Sequence, residues 1–271
     1  MKNKIGFMQG RLVDSEKVNS IQYFPEKKWQ KEILLAKKNK YNIMEWTVNI
    51  ENIKKNPIFK TNKIDNLKKY LLENNLKVTS VTCDFFMQKP FFKNPKNIKI
   101  LDYLKTLIIN GQKIGIRNFI LPLVDQSSIK NKLQENKLIN KVKKFEKLLD
   151  KNSKILFETD YKPNEIIKFI KKFKSLKFGI NYDTGNSAGL GYSFNDEKKY
   201  FKYVKNIHIK DKKLNGKTTR LGCGNFKFST FFSYLKKINY KGNLILQTAR
   251  AENKSHEYEL NLNRKYIQKY L

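Results

Sequence analysis

Short apolar runs alternate with longer amphipathic segments along the whole chain. The short runs are rich in Ile, Leu, Phe and Val, as expected for buried β-strands. The longer segments carry apolar residues at helical spacing between lysines, which is typical of amphipathic helices. The pattern predicts eight strands, which begin at Lys4, Tyr41, Leu76, Ile116, Lys154, Lys177, Val204 and Asn243.

A helical segment follows each predicted strand. The predicted helices span residues 25–40, 63–74, 98–114, 128–149, 163–173, a short stretch after 192, 228–238 and 256–271. Strands that alternate with helices are expected to run parallel. Eight such units in 271 residues, with no turn-rich linker between them, predict an α/β protein with one (β/α)8 TIM barrel domain over residues 1–271. An open doubly wound sheet is the competing architecture, but no GxGxxG motif follows the first predicted strand.

The chain is strongly basic, with a formal net charge of +33. Such a charge is typical of proteins that bind nucleic acid. Only five of the basic residues are arginine, however, and the lysines are spread over nearly every predicted helix. Lys, Asn and Ile are abundant together, and all three have AT-rich codons. We therefore predict a solvated basic surface and no nucleic-acid partner.

The sequence also bears on the cellular compartment. No run approaches the roughly 18 apolar residues that span a bilayer, and the first residues do not resemble a signal peptide. Cys83 and Cys223 are the only cysteines, which gives no disulfide framework. These features predict a cytoplasmic protein without a membrane partner, and they leave a homo-oligomer open.

Scarce residue types gather at the predicted strand ends, where β/α barrels carry their chemistry. The chain has only 24 acidic residues, and several follow strands directly: Glu45, Asp84, Asp125, Glu158, Asp160, Asp183 and Asp211. Three of the five arginines, Arg11, Arg220 and Arg250, are placed in the same way. Because the guanidinium fork suits carboxylate and phosphate groups, we predict substrate contacts from the set Arg11, Glu45, Asp211, Arg220 and Arg250.

Four consecutive predicted strands end in residues that can bind a metal ion. They are Glu158, Asp183, His208 and Gln247. Carboxylate oxygens and one imidazole suit Mn²⁺, Co²⁺, Zn²⁺ or Mg²⁺. A single histidine at the end of a strand is more often structural than a ligand. The chain has only two histidines, however, and one of them falls in register with the two carboxylates, which favours one divalent metal ion as the cofactor.

The segments that carry these residues also resemble a known family. FETD, then NYDTGN, then HIKD followed by the loop RLGCGNF, are similar to the xylose-isomerase-like barrels of sugar and sugar-phosphate isomerases and epimerases. The resemblance covers essentially the whole chain. It implies a sugar or sugar-phosphate substrate and one metal held by Glu158, Asp183, His208 and a second glutamate. It also implies that the two glutamates move a proton through a cis-enediol(ate), with Glu158 as one acid–base.

The second glutamate of the family falls at Gln247, and there the match fails. An amide cannot take up a proton at neutral pH, although its carbonyl can still bind a metal ion. Three alternatives follow. Another group replaces the base, with Asp84, Glu45, Asp211 and Lys210 as candidates, of which Asp84 and Lys210 are the catalytic residues we predict beside Glu158. The protein is a single-base lyase or dehydratase on a sugar-derived acid, or it binds a sugar without catalysis.

Two further features affect the choice of substrate. The glycine-rich segments 185–192 and 221–225 are predicted as loops that either cradle an anion with backbone N–H groups or are simply flexible. The same family also resembles type-IV AP endonucleases, which would suit a basic chain. Those enzymes cluster three zinc ions with several histidines, and two histidines cannot supply such a site.

Overall fold

The computed structural model describes residues 4–14, 22–251 and 254–271, and in this part of the chain eight parallel strands close into a barrel. The strands are β1 Ile5–Met8, β2 Ile43–Val48, β3 Lys77–Cys83, β4 Asn118–Leu123, β5 Lys154–Thr159, β6 Phe178–Asp183, β7 Val204–Ile209 and β8 Leu244–Leu246. Each strand pairs with its neighbours in sequence, and β1 closes the barrel on β8. The predicted (β/α)8 barrel is therefore confirmed, whereas its treatment as one domain over residues 1–271 stays a prediction.

Helices connect the strands on the outside of the barrel. They are α1 Trp29–Lys38, α2 Ile64–Glu73, α3 Asp84–Gln88, α4 Ile100–Ile114, α5 Lys132–Val142, α6 Pro163–Lys171, α7 Thr184–Leu190, α8 Phe194–Glu197, α9 Phe228–Lys237 and α10 His256–Gln268. The helix predicted over 128–149 is divided into α5 and a 3₁₀ turn, Lys143–Leu148. In the described residues no helix combines the length and the apolar character that a membrane crossing requires.

The alternation of side chains along each strand divides the core into two parts. Phe157 of β5 points outward, where its ring lies 4.8 Å from that of Phe173 and 5.1 Å from that of Phe169. A small apolar cluster of Met8, Ile43 and Ile245 forms a separate group on neighbouring strands. Because successive side chains point to opposite faces, the residue after Phe157, Glu158, points into the barrel. The same rule places Gln247, two residues after Ile245, on the inner face.

Candidate functional site

Three side chains that could hold a metal ion meet inside the barrel at the ends of β5, β6 and β7. One oxygen each of Glu158 and Asp183 and one nitrogen of His208 all lie within 4.8 Å of one another. His208 Nδ1 is 3.1 Å from Glu158 Oε2 and 3.9 Å from Asp183 Oδ2. All three side chains are buried. Asp183 and His208 are direct partners in the register of β6 and β7, so the strand pairing itself brings them together.

Asp183 uses its two oxygens differently. Oδ1 accepts hydrogen bonds from the backbone N–H groups of Gly185, at 2.7 Å, and Asn186, at 2.9 Å. Asp183 is therefore the N-cap of α7, in the usual capping geometry. Oδ2 is left on the side of His208 and lies 2.9 Å from Lys210 Nζ. The segment predicted as a glycine-rich loop over 185–192 is thus largely helical, and its free N–H groups bind this carboxylate.

Glu45 fixes the ring of His208. Its Oε1 lies 2.7 Å from His208 Nε2 and also accepts a hydrogen bond of 2.6 Å from Thr82 Oγ1. This contact directs Nδ1 toward Glu158 and Asp183. Burial opposes a charge on the imidazole, but the negative charges of Glu45 and Glu158 and their hydrogen bonds outweigh it and raise the pKa of His208 to about 10. In the structure Glu45 is fully buried against the histidine, and the substrate contact predicted for it from the sequence stays a prediction.

Two asparagines join these groups into one network. Asn206 Nδ2 donates to Glu45 Oε2 at 3.0 Å and to Asn181 Oδ1 at 2.9 Å. Asn181 Nδ2 in turn donates to Glu158 Oε2 at 2.8 Å. Neither residue is among the site residues predicted from the sequence. They precede Asp183 and His208 by two positions, so the two-residue period of a strand would have placed them on the same inner face.

Lys210 adds a positive charge to the cluster. Its side chain crosses Gly185, where an added Cβ would lie 2.7 Å from Lys210 Cγ. Burial disfavours the ammonium, but the charges of Asp183 and Glu158 outweigh burial and raise the pKa of Lys210. Lys210 therefore stays positively charged beside the carboxylates.

Gln247 also fits a metal site. Its Nε2 donates to Gln22 Oε1 at 2.7 Å, while its buried Oε1 has no hydrogen-bond partner among the described residues. Leaving a buried carbonyl oxygen unpaired is costly, and a cation would satisfy it. An amide oxygen of this kind is chemically compatible with the carboxylates of Glu158 and Asp183 and the imidazole of His208 as a ligand of a divalent metal ion, so the place of Gln247 in the metal site stays a prediction.

Asp84 lies at the end of β3, on the opposite side of the barrel from β7. Its Oδ1 accepts a hydrogen bond of 2.9 Å from Gln22 Nε2, and its Oδ2 one of 3.2 Å from Asn49 Nδ2. Burial is the main reason that the pKa of Asp84 is raised to about 8, and the charge of Glu158 adds to the effect. Gln22 thus connects Asp84 to Gln247 across the mouth of the barrel.

The three strand-end arginines have different surroundings. Arg220 forms a two-pronged ion pair with Glu259 at the surface, with Nε–Oε1 2.8 Å and Nη2–Oε2 2.6 Å. Arg250 donates to the backbone carbonyls of Gly10 and Val13. Arg11 is buried, and within the described part of the chain only its Nε has an acceptor, the carbonyl of Thr248 at 3.0 Å. The contacts leave Arg11 available to a ligand, whereas they do not support the predicted substrate role of Arg220 or Arg250.

Asp211 is also occupied by the protein. Its Oδ2 accepts the N–H groups of Gly222 and Gly224, each at 2.9 Å, and its Oδ1 accepts that of Phe226 at 3.1 Å. Of the two alternatives given for the loop over 221–225, its N–H groups do surround an anion, but that anion is the carboxylate of Asp211 itself. This carboxylate shapes the loop, and its predicted contact with the substrate has no support from the geometry.

Comparison with known proteins agrees with this architecture. The profile of the xylose isomerase-like TIM barrel family matches residues 33–268. No curated protein matches the sequence. Among solved structures, a xylose isomerase domain protein from Planctomyces limnophilus is similar with a TM-score of 0.75 at 14% identity, covering 99% of this chain and 96% of the other.

Two further structures are similar over 99% of both chains. D-psicose 3-epimerase with D-tagatose, from Clostridium cellulolyticum H10, has a TM-score of 0.73 at 14% identity. The IolI protein with a bound zinc atom has a TM-score of 0.74 at 17% identity. At such identities the structures show a shared fold. Since the profile covers most of the sequence, this chain belongs to the xylose isomerase-like TIM barrel family.

Proposed function

We propose that this protein is a metal-dependent isomerase or epimerase that acts on a sugar or sugar phosphate by proton transfer next to a carbonyl group. The observation that carries the proposal is the buried cluster of Glu158, Asp183 and His208 at three consecutive strand ends. These side chains and Gln247 Oε1 would hold the ion. A bound divalent ion would polarise the substrate carbonyl and so make the neighbouring C–H group more acidic.

Glu158 is the base in this proposal. Burial would raise the pKa of its carboxyl group, but hydrogen bonds and charges from His208, with the charge of Lys210, outweigh burial and lower it. Glu158 is therefore ionised at neutral pH and able to accept a proton. Asn181 and Asn186 donate to its two oxygens at 2.8 and 3.1 Å, which holds the carboxylate in one orientation.

A second group must return the proton if the stereochemistry is to change. Gln247 cannot do so. Asp84 is the better candidate, because it faces the site from the opposite wall and a carboxyl group with a pKa of about 8 can be present as the acid at neutral pH. Lys210 stays charged beside Asp183, so its proposed role is to stabilise negative charge that develops on the substrate oxygen.

The test combines metal analysis with hydrogen exchange. The protein is purified without chelator, its metal content is measured, and ketose sugars and their phosphates are incubated with it in D₂O while proton NMR follows loss of the signal next to the carbonyl. We expect about one divalent ion per chain and exchange of that proton. Asp183→Ala should lose the ion, and Glu158→Gln should lose exchange. A surface variant, Glu257→Gln, is the control. A protein that neither contains nor takes up Mn²⁺ would overturn the proposal.

Gln247 favours a second candidate, a single-base lyase or dehydratase. Such a reaction removes one proton and expels a leaving group, so it needs no second carboxylate. The two candidates differ in their products. An epimerase returns a stereoisomer of equal mass, whereas a dehydratase gives a product smaller by one water, which mass spectrometry distinguishes. A ligand that binds without either reaction would indicate a sugar-binding barrel.

A further inference from the structure

Arg11 is a buried cation, and the two terminal nitrogens that form the fork of its guanidinium group lack acceptors in the described part of the chain. The side chain is 3% exposed, and neither Nη1 nor Nη2 has a hydrogen-bond partner among the described residues. Burial is the main reason that its pKa is lowered to about 9, and the charge of Arg250 lowers it further. It is still protonated at neutral pH. Nearby Glu32 and Asp84 partly offset this loss of hydration through their charges, but two buried N–H-bearing atoms without acceptors remain energetically costly.

Hydrogen bonds hold the backbone on both sides of Arg11. The carboxylate of Glu32, itself fully buried, accepts the N–H of Gly10 at 2.8 Å and that of Leu12 at 3.0 Å. Gly10 adopts a left-handed φ of +86°, and an added Cβ would lie 2.7 Å from the carbonyl oxygen of Tyr23. Only glycine fits this turn without strain.

The polar groups next to Arg11 bond to the backbone of residues 10–13 and not to Nη1 or Nη2. Arg250 donates to the carbonyls of Gly10 and Val13, and both oxygens of Glu32 accept backbone N–H groups. Residues 10–13 are thus held by hydrogen bonds from both sides. The unpaired guanidinium is therefore carried by a rigid backbone, which is the arrangement expected of a preorganised binding group.

The position of Arg11 relates it to the site. Its Nε is anchored on the carbonyl of Thr248, the residue after Gln247. Its charge interacts with Asp84 at the end of β3 and with Lys210 just after β7, and these strands lie on opposite sides of the barrel. Arg11 is therefore held next to Gln247, one of the strand-end residues of the candidate site, and its charge acts on groups at two strand ends of the same rim.

From these contacts we propose that Arg11 Nη1 and Nη2 bind an oxyanion on the substrate, so that the protein acts on a phosphorylated or carboxylated sugar rather than on a neutral one. This assignment rests on the proposed function and narrows its substrate class. A planar fork binds two oxygens of a phosphate or carboxylate at once, and burial strengthens both hydrogen bonds. Arg220 and Arg250 are excluded from this role by their own partners.

The experiment measures binding by calorimetry, which requires no turnover. The full-length protein and Glu158→Gln are titrated with D-fructose, D-fructose 6-phosphate, D-fructuronate and inorganic phosphate. We expect one of the two anionic sugars to bind at least about tenfold more tightly than D-fructose, as two charge-assisted hydrogen bonds imply. The tighter of the two identifies the phosphate or the carboxylate as the preferred group. Equal affinity for D-fructose and both anionic sugars would overturn the proposal.

Two substitutions at Arg11 separate binding from folding. Arg11→Met should remove the preference for the anionic sugar over D-fructose, and should keep or raise the melting temperature because an unpaired buried charge is lost. Arg11→Lys keeps the charge without the fork and should lose part of the preference. The matched control is Arg117→Met at the start of β4, whose guanidinium pairs with Asp150 at the other end of the barrel.

Each failure has its own signature. If Arg11→Met keeps the preference for the anionic sugar, the assignment is wrong. A lowered melting temperature in the same variant would then show that Arg11 has a structural role. If the anionic preference is present and depends on Arg11 but no proton exchange occurs with any sugar, the oxyanion site stands and the proposed reaction is wrong. If exchange occurs on neutral ketoses without any anionic preference, the proposed reaction stands and the oxyanion site is wrong.

Discussion

Glu45→Gln tests whether the buried network positions His208, the proposed metal ligand. The glutamate accepts from Thr82 Oγ1 and faces His208 Nε2 with one oxygen, and it accepts from Asn206 Nδ2 with the other. Glutamine has the same shape but only one acceptor. If its carbonyl faces His208, its NH₂ group faces the NH₂ group of Asn206. A flip of the Asn206 amide would not remove this conflict without cost, because the same Nδ2 also donates to Asn181.

The contacts allow the size of the effect to be worked out. One unsatisfied buried donor pair costs about 1–3 kcal/mol of unfolding free energy. For a chain of this size each kcal/mol lowers the melting temperature by roughly 2–4 °C. Loss of an outer partner of a metal-bound histidine typically weakens metal affinity by about 10–100-fold. We therefore expect a melting temperature lower by several degrees together with weaker Mn²⁺ binding.

Two measurements on purified apo-protein check this prediction. Differential scanning calorimetry gives the stability, and Mn²⁺ titration gives the affinity, with Glu257→Gln as a surface control for loss of one carboxylate. A variant with lowered stability and unchanged Mn²⁺ affinity would show that Glu45 supports the barrel and not the metal site. A variant that resembles the wild type in both measurements would refute the donor and acceptor roles that we assign to Glu45, His208 and Asn206.

Three other substitutions test separate parts of the structure. Burial raises the pKa of Glu197 to about 7, so the folded state binds this proton more tightly than the unfolded state does. The protonated carboxyl group therefore contributes about 3 kcal/mol of stability below pH 4.5, and this contribution is lost as the pH rises to 7. Glu197→Gln should flatten that decline in urea unfolding between pH 4.5 and 7, and an unchanged slope would contradict the assignment. Gly224→Ala should destabilise the protein by about 1–3 kcal/mol, because the new Cβ would lie 2.2 Å from Asp211 Oδ1; wild-type stability would mean that the loop is not fixed by this carboxylate. Gln247→Glu should tighten Mn²⁺ binding about tenfold, since a carboxylate replaces a neutral oxygen ligand, and unaltered affinity would remove residue 247 from the metal site.

The sequence was sufficient to predict the barrel and the three side chains that meet at the ends of β5, β6 and β7. Parallel strands of similar length end at one rim, so inward-facing residues at the ends of neighbouring strands must come close together once the strand period is known. Glu158, Asp183 and His208 satisfy that rule, and the structure places their ligand atoms within 4.8 Å. The sequence also showed that Gln247 stands where the family has a glutamate. This could be seen because the position falls at the end of the eighth predicted strand, which had already been located.

What the sequence left open was the partner of each polar group, and only the tertiary structure decided it. Three arginines at strand ends looked alike, yet Arg220 pairs with Glu259, 39 residues away, and Arg250 holds a backbone carbonyl 240 residues away. Arg11 alone keeps an unpaired fork among the described residues. Local pattern fixes the direction of a side chain, whereas its partner depends on contacts between segments distant in the chain. For that reason Arg11 could be distinguished from Arg220 and Arg250, and proposed as an oxyanion site, only from the tertiary structure.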